Sequence, residues 1–263
     1  MLPAKKNRSQ SAGANANKAR RKPPLDWCQS SDTGKVMLTP HSARIIRCLD
    51  CEFPKGRETP PNDKGQTTTQ LIMEALTHLG DKLRYCVYSH GLSIYFKPKQ
   101  GLQYFKNREW LFDLHWFTQH KKCRTGLRKY GYRLKTVPLV VECEWDWIRA
   151  KEREQKKEQN KAELDPFGEV KYDFQKLLLA NANLRLMIFR KRTRAIRELP
   201  QSRLKAQKPE ECNAELDTYF IRTIREYEYF SDRAYFLFIR FDGDVRKKRR
   251  LSFEYAIYPE VRS

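Results

Sequence analysis

The sequence predicts an α/β (α+β) domain, a central mixed sheet flanked by helices, and three stretches carry that expectation. Leu139-Val-Val141 is an apolar, β-branched run of the kind that fills a buried strand. Residues 173–182 then have helical spacing, with Phe174, Leu177 and Leu178 on one stripe, and residues 184–189 are a second apolar strand. Strand, helix, strand is the signature of a βαβ core. Finally, residues 234–241 and 251–258 read as strands joined by Asp242-Gly243 and a basic turn, a hairpin at the end of the domain.

The remaining elements follow in order. Residues 1–24 carry seven Lys or Arg and no acid, closed by Pro23-Pro24, and read as a flexible basic arm. In a eukaryote residues 18–22 would pass as a nuclear address. Residues 25–66 form an irregular N-terminal region that ends in a Pro, Gly, Asn and Asp loop, and residues 67–263 are the α/β domain. Thr67-Thr-Thr caps an amphipathic helix over 70–79, which Gly80 is expected to stop. Residues 83–89 and 92–96 read as a strand pair turning at His90-Gly91. Residues 148–164 alternate Lys, Arg, Glu and Gln and predict an exposed helix that clamps substrate or docks a subunit. Residues 210–230 predict one more helix, on a stripe of Leu216, Phe220, Ile224 and Tyr227.

A formal net charge of +21 on 263 residues predicts attraction to a polyanion, with nucleic acid the leading partner and DNA preferred to RNA. Two segments concentrate the charge. Residues 97–135 hold eleven Lys or Arg against Glu109 and Asp113, interleaved with Tyr104, Phe105, Tyr130 and Tyr132. Residues 190–208 are net +7. Lys121, Lys122, Arg124, Arg128, Lys129, Arg190, Lys191 and Arg192 are therefore the expected nucleic-acid contacts, cations for phosphates among aromatic rings for bases. No run of eighteen apolar residues exists to span a bilayer, so no membrane is expected, and the seven scattered cysteines suit a soluble protein in a reducing intracellular compartment. Cys48-Leu-Asp-Cys51 is a lone C-x-x-C for which Cys28, His41 or Cys123 would have to complete a zinc set, and structural zinc is not expected.

The candidate chemistry lies in acids placed where acids are costly. Glu142 and Glu144 follow the strand run one residue apart and so share a face. Asp113 interrupts the apolar stretch Trp110-Leu-Phe-Asp-Leu-His-Trp-Phe117, where a lone carboxylate must be paired, metal-bound or at a strand end. Carboxylates gathered at a strand end repel unless a cation stands between them, and a hard divalent metal is the simplest one. His115 shares the face of Asp113 and reads first as a satisfied core or groove histidine, and Glu74 is held in reserve on the first helix.

An acid in one strand, a second strand with Glu142-x-Glu144, and Lys176 on the helix leading to a third strand together resemble the restriction-endonuclease-like, PD-(D/E)xK, nuclease superfamily over residues 80–189. The resemblance implies a restriction-endonuclease-like core and metal-dependent hydrolysis of phosphodiesters. Asp113, Glu142 and Glu144 would hold Mg²⁺ or Mn²⁺, and Lys176 would touch the attacking water and scissile phosphate. Glu144 stands where the family has lysine, with Lys176 placed to replace it from the helix, and Phe112 stands where it has proline. Glu74 would match the first-helix glutamate of some members. The resemblance also implies a homodimer. A nucleic-acid-binding module without catalysis is the alternative on the same fold.

Overall fold

A computed structural model describes residues 25–29, 37–53, 68–90, 111–119, 134–144, 167–191, 208–227, 234–242 and 252–260. Its centre is a mixed sheet of seven strands: β1 (Cys28–Gln29), β2 (Cys86–Ser89), β3 (Leu114–Gln119), β4 (Leu134–Glu144), β5 (Leu184–Arg190), β6 (Tyr235–Asp242) and β7 (Ser252–Tyr258). They lie in the order β1-β7-β6-β5-β4-β3-β2. The middle three strands are parallel, and the flanking pairs are antiparallel. Parallel strands need covered crossovers, and the two crossovers here are α3 (Gly168–Leu179) between β4 and β5 and α4 (Pro209–Glu226) between β5 and β6. The predicted βαβ unit is thus present and is followed by a second. The predicted C-terminal strand pair is present as antiparallel β6 and β7.

Alternation along each strand sends side chains to two opposite cores. Leu139, Val141 and Cys143 of β4 join Leu186, Ile188, Leu237 and Ile239 beneath two further helices, α1 (Pro40–Glu52) and α2 (Thr68–Lys82). Val140 joins Met187, Phe189, Phe236 and Phe238 beneath α3 and α4, where Phe174 and Phe220 pack 4.6 Å apart between ring centroids. Helices cover both faces of the sheet, which is why its central strands read as unbroken apolar runs.

Three local readings change. Residues 37–53, irregular in sequence pattern, contain helix α1, started by Thr39, whose hydroxyl accepts from the Ser42 N–H at 3.1 Å, and by Pro40 in the first turn. Gly80 does not stop α2, which continues to Lys82. A Cβ at Gly80 would stand 2.5 Å from Trp116 Nε1 and 2.6 Å from Val87 Cγ2, so the glycine lets the helix lie close against β2 and β3. The chain turns instead at Arg84, with φ 64°. Third, the strand expected from residue 83 begins at Cys86 as β2, which pairs with β3; the proposed strand 92–96 lies outside the described residues, as do the arm 1–24 and the charged helix 148–164. No helix among the described residues is long and apolar enough to cross a membrane.

Arg185, 4 % exposed on β5, fastens the C-terminal end of α3. Its Nε donates to the Leu177 carbonyl at 2.9 Å and a terminal nitrogen donates to that of Ala180 at 2.5 Å, while the guanidinium stacks 5.3 Å from the Phe236 ring centre. A cation at a helix C-terminus satisfies carbonyls that have no partner within the helix.

Candidate active site

Asp113 immediately precedes β3, whose antiparallel register with β4 pairs Leu114 with Val141. One step back, Asp113 stands opposite Glu142, and both fall on the sheet face that α3 covers. The aspartate is at the strand start, one of the placements under which a lone acid in an apolar stretch is tolerated. Its Oδ2 accepts the backbone N–H of Cys143 at 2.9 Å, and its carbonyl accepts the His90 N–H at 2.7 Å. The first bond crosses from β3 to β4 and fixes the carboxylate beside Glu142.

Glu142 is 1 % exposed, between Val141 and Cys143 near the end of β4. From α3, Lys176 Nζ donates to Glu142 Oε2 at 2.9 Å and to Asp173 Oδ1, one helical turn earlier, at 2.8 Å. The other oxygen of Glu142, Oε1, is buried without a hydrogen-bond partner. Such an oxygen marks a place where a cation or a donor belongs.

The electrostatics follow from this crowding. Burial, then the charge of Asp113, pushes the Glu142 carboxyl up to about 9, against the pull of Lys176. Burial also raises Asp113; the Cys143 N–H opposes this and the Asp173 carboxylate reinforces it. Burial alone would lower the Lys176 ammonium, but hydrogen bonds to Asp173 and Glu142 outweigh it and hold the amine above its ordinary value. Two close carboxylates that resist ionising together, Glu142 buried with an orphan oxygen and Asp113 half-buried, are oxygen ligands of the kind a hard divalent cation takes.

The predicted residues do not all gather here. The charges that act on Glu142 are those of Asp113, Asp173 and Lys176. Glu144 lies two residues further on, at the level of Phe189, and is half-buried. Glu74 is on α2, the helix that covers the opposite sheet face from Lys176. Among the described residues, no three His, Cys, Asp or Glu side chains come together to hold a metal ion. His115 is a core residue: 2 % exposed, stacked 5.1 Å from Tyr88 and tilted against Phe117 at 5.4 Å, with its pKa lowered to about 4 by burial. Cys48 of the C-x-x-C points to the Ala75 carbonyl at 3.7 Å, and burial raises its thiol to about 11.

Of the expected nucleic-acid contacts, Lys121, Lys122, Arg124, Arg128, Lys129 and Arg192 lie outside the described residues. Arg190 ends β5, and Lys191 pairs with Glu254 at 2.8 Å.

Sequence reasoning passed over two features. Asp173 was not singled out, yet it is the third acid whose charge reaches the site; its signal was the i,i+3 spacing to Lys176. The second is a buried ionic cluster on the same face. Arg240 of β6 pairs with Glu254 of β7 and lies 3.5 Å from Asp217 of α4, and its guanidinium stacks 3.8 Å from the Trp27 ring centre. Trp27 Nε1 donates to Asp217 at 2.7 Å, tying the chain before β1 to α4. Charges inside the apolar runs around Arg240 and Glu254 were the available signal.

Comparison of the chain with family models, with curated proteins and with solved structures returns no match.

Proposed function

We propose that the protein is a metal-dependent nuclease that hydrolyses phosphodiester bonds of nucleic acid. The observation that carries this reading is the hydrogen bond from Lys176 of α3 to the buried Glu142, which itself stands opposite Asp113. Asp113 and Glu142 would hold Mg²⁺ or Mn²⁺, with Glu144 the remaining acid of that strand face. Bound there, the ion supplies charge neutralisation on the phosphate and a water acidic enough to act as nucleophile at neutral pH.

The chain's own groups supply the rest. Lys176 brings a fixed positive charge and hydrogen-bond donors to the edge of the carboxylate pair, where a non-bridging phosphate oxygen or the attacking water accepts from it. Asp173 restrains the amine on the exposed side, so that it points at the strand rather than into solvent. Asp113 is itself oriented by the Cys143 N–H, which leaves its second oxygen for the metal. The net charge of +21 draws polyanionic substrate to the protein.

One observation favours a nucleic-acid-binding module without catalysis: Lys176 is already engaged by Glu142 and Asp173, and among the described residues no three His, Cys, Asp or Glu side chains are grouped to hold a metal ion. The experiment that separates the two is cleavage of plasmid, linear duplex, single-stranded DNA and RNA by wild type and Glu142→Ala, with Mg²⁺, Mn²⁺ or EDTA. Metal-dependent cutting that Glu142→Ala abolishes supports the nuclease. Binding without cutting in either metal, or cutting that survives the substitution, overturns it.

A further inference from the structure

Tyr172 is the residue of α3 next to Asp173, and its large aromatic side chain is 64 % exposed. It lies one helical turn before Lys176, whose amino nitrogen stands 5.8 Å from the Tyr172 ring centre. The same nitrogen bonds Glu142 and Asp173, so the ring borders the proposed phosphate position directly. Single exposed apolar side chains are common, and Leu179, 68 % exposed on the same outward side of α3, is an aliphatic example. Tyr172 differs because a fixed ammonium lies at its ring and the acid cluster lies behind that ammonium.

We propose that Tyr172 is a stacking platform for an unpaired nucleobase next to the scissile phosphate, and that the site therefore takes single strands, frayed ends or flaps in preference to the interior of a duplex. This inference rests on the nuclease reading for its substrate class. A nucleobase joined to a phosphate held at Lys176 is tethered within reach of the neighbouring ring. Stacking on an aromatic face needs a base face that is free, and inside a duplex both faces of every base are covered by its neighbours. The tyrosine ring has two side-chain torsions and is further restrained by the Lys176 stem beside it, so little conformational freedom is lost when a base lands on it. The positive charge at Lys176 complements the phosphate of the same nucleotide, so one helical turn presents both a ring for the base and a cation for the backbone.

The test is binding in EDTA, where no cutting interferes. Short single-stranded DNA and RNA carrying 2-aminopurine, and the matching duplexes, are titrated with wild type, Tyr172→Phe and Tyr172→Ala. Tyr172→Ala should weaken single-strand binding about tenfold and change the 2-aminopurine signal on binding, with duplex affinity unaltered. Tyr172→Phe, which keeps the ring, should behave as wild type and excludes a loss caused by misfolding. Equal affinities of all three proteins for single strands overturn the inference, even if Glu142→Ala abolishes cleavage and the nuclease reading stands. A wild type that binds single strands through Tyr172 yet cuts nothing in Mg²⁺ or Mn²⁺ supports the platform and overturns the nuclease instead.

Discussion

Lys176 and Glu142 are joined by a hydrogen bond of 2.9 Å, although one stands on a helix and the other on a buried strand of the sheet beneath it. The contact makes α3 part of the site rather than only part of the packing. It also makes the two residues unequal: the lysine side chain is 21 % exposed and reaches water, whereas that of the glutamate is 1 % exposed and depends on the lysine.

That inequality sets the outcome of a double-mutant cycle. Lys176→Met removes the cation and leaves two crowded acids, so it should lower stability by about 2 to 4 kcal/mol above pH 9, where Glu142 is ionised. Glu142→Gln removes the buried charge and should cost less. The double substitution should be more stable than the sum of the two singles by about 1 to 3 kcal/mol. Urea unfolding monitored by far-UV circular dichroism measures all four corners, and additive effects would show that the bond contributes nothing.

Asp173 should act as a positioning residue for the proposed reaction. It lies 2.8 Å from Lys176 and touches neither Asp113 nor Glu142 by hydrogen bond among the contacts of the described residues. Asp173→Asn frees the amine to swing outward, so kcat should fall about tenfold with KM nearly unchanged, as expected for an interaction needed in the transition state. Asp173→Glu, able to reach the same amine, should restore part of the rate. A raised KM at constant kcat would instead make Asp173 a substrate-binding residue.

The buried cluster beneath α4 predicts a pH dependence of stability. Asp217 is pushed up from 3.8 to about 6, by burial first and also by Glu254, with Arg240, Trp27 and Lys191 pulling the other way. A carboxyl raised in the folded state favours the protonated fold. Its contribution is complete below the ordinary aspartate value, is lost as pH rises to about 6, and is gone above it. The slope over that window amounts to about 2 to 3 kcal/mol. Asp217→Asn keeps an acceptor for Trp27 and cannot ionise, so its unfolding free energy should lack this slope. Parallel pH profiles for the two proteins would show that Asp217 does not titrate there.

What was legible in the sequence follows the physics of burial. Strands β4, β5 and β6 are covered on both faces, and full burial wrote them as apolar runs that can be read without a structure. Strand order is set by which edges meet in space, and local pattern holds no record of it. Asp113, Glu142 and Lys176 stood out because an acid in an apolar strand, or a lysine placed after it, needs an explanation. Asp173 did not stand out, because an acid three residues before a lysine is ordinary on any helix surface. Helix α1 was missed although Thr39-Pro40 is a sound start signal, since its buried Ile45, Ile46 and Leu49 are interrupted by arginine and cysteine.

Gly80 gives the last prediction, because its reason is visible only in three dimensions. Within a helix, replacing glycine by alanine ordinarily stabilises by up to about 1 kcal/mol. Here the added methyl would meet the Trp116 ring and Val87 at distances of 2.5 to 2.8 Å. Trp116 has little room to yield: it is fully buried, its Nε1 donates to the Leu76 carbonyl at 3.1 Å, and Tyr85 stacks on it with ring centres 5.6 Å apart. Gly80→Ala should therefore reverse the usual sign and destabilise by about 1 to 3 kcal/mol. Paired with Trp116→Phe, which drops the indole nitrogen nearest the new methyl, much of that loss should disappear. Thermal unfolding of the single and double variants checks both, and a Gly80→Ala protein as stable as wild type would mean that α2 can move away from β3 at no cost.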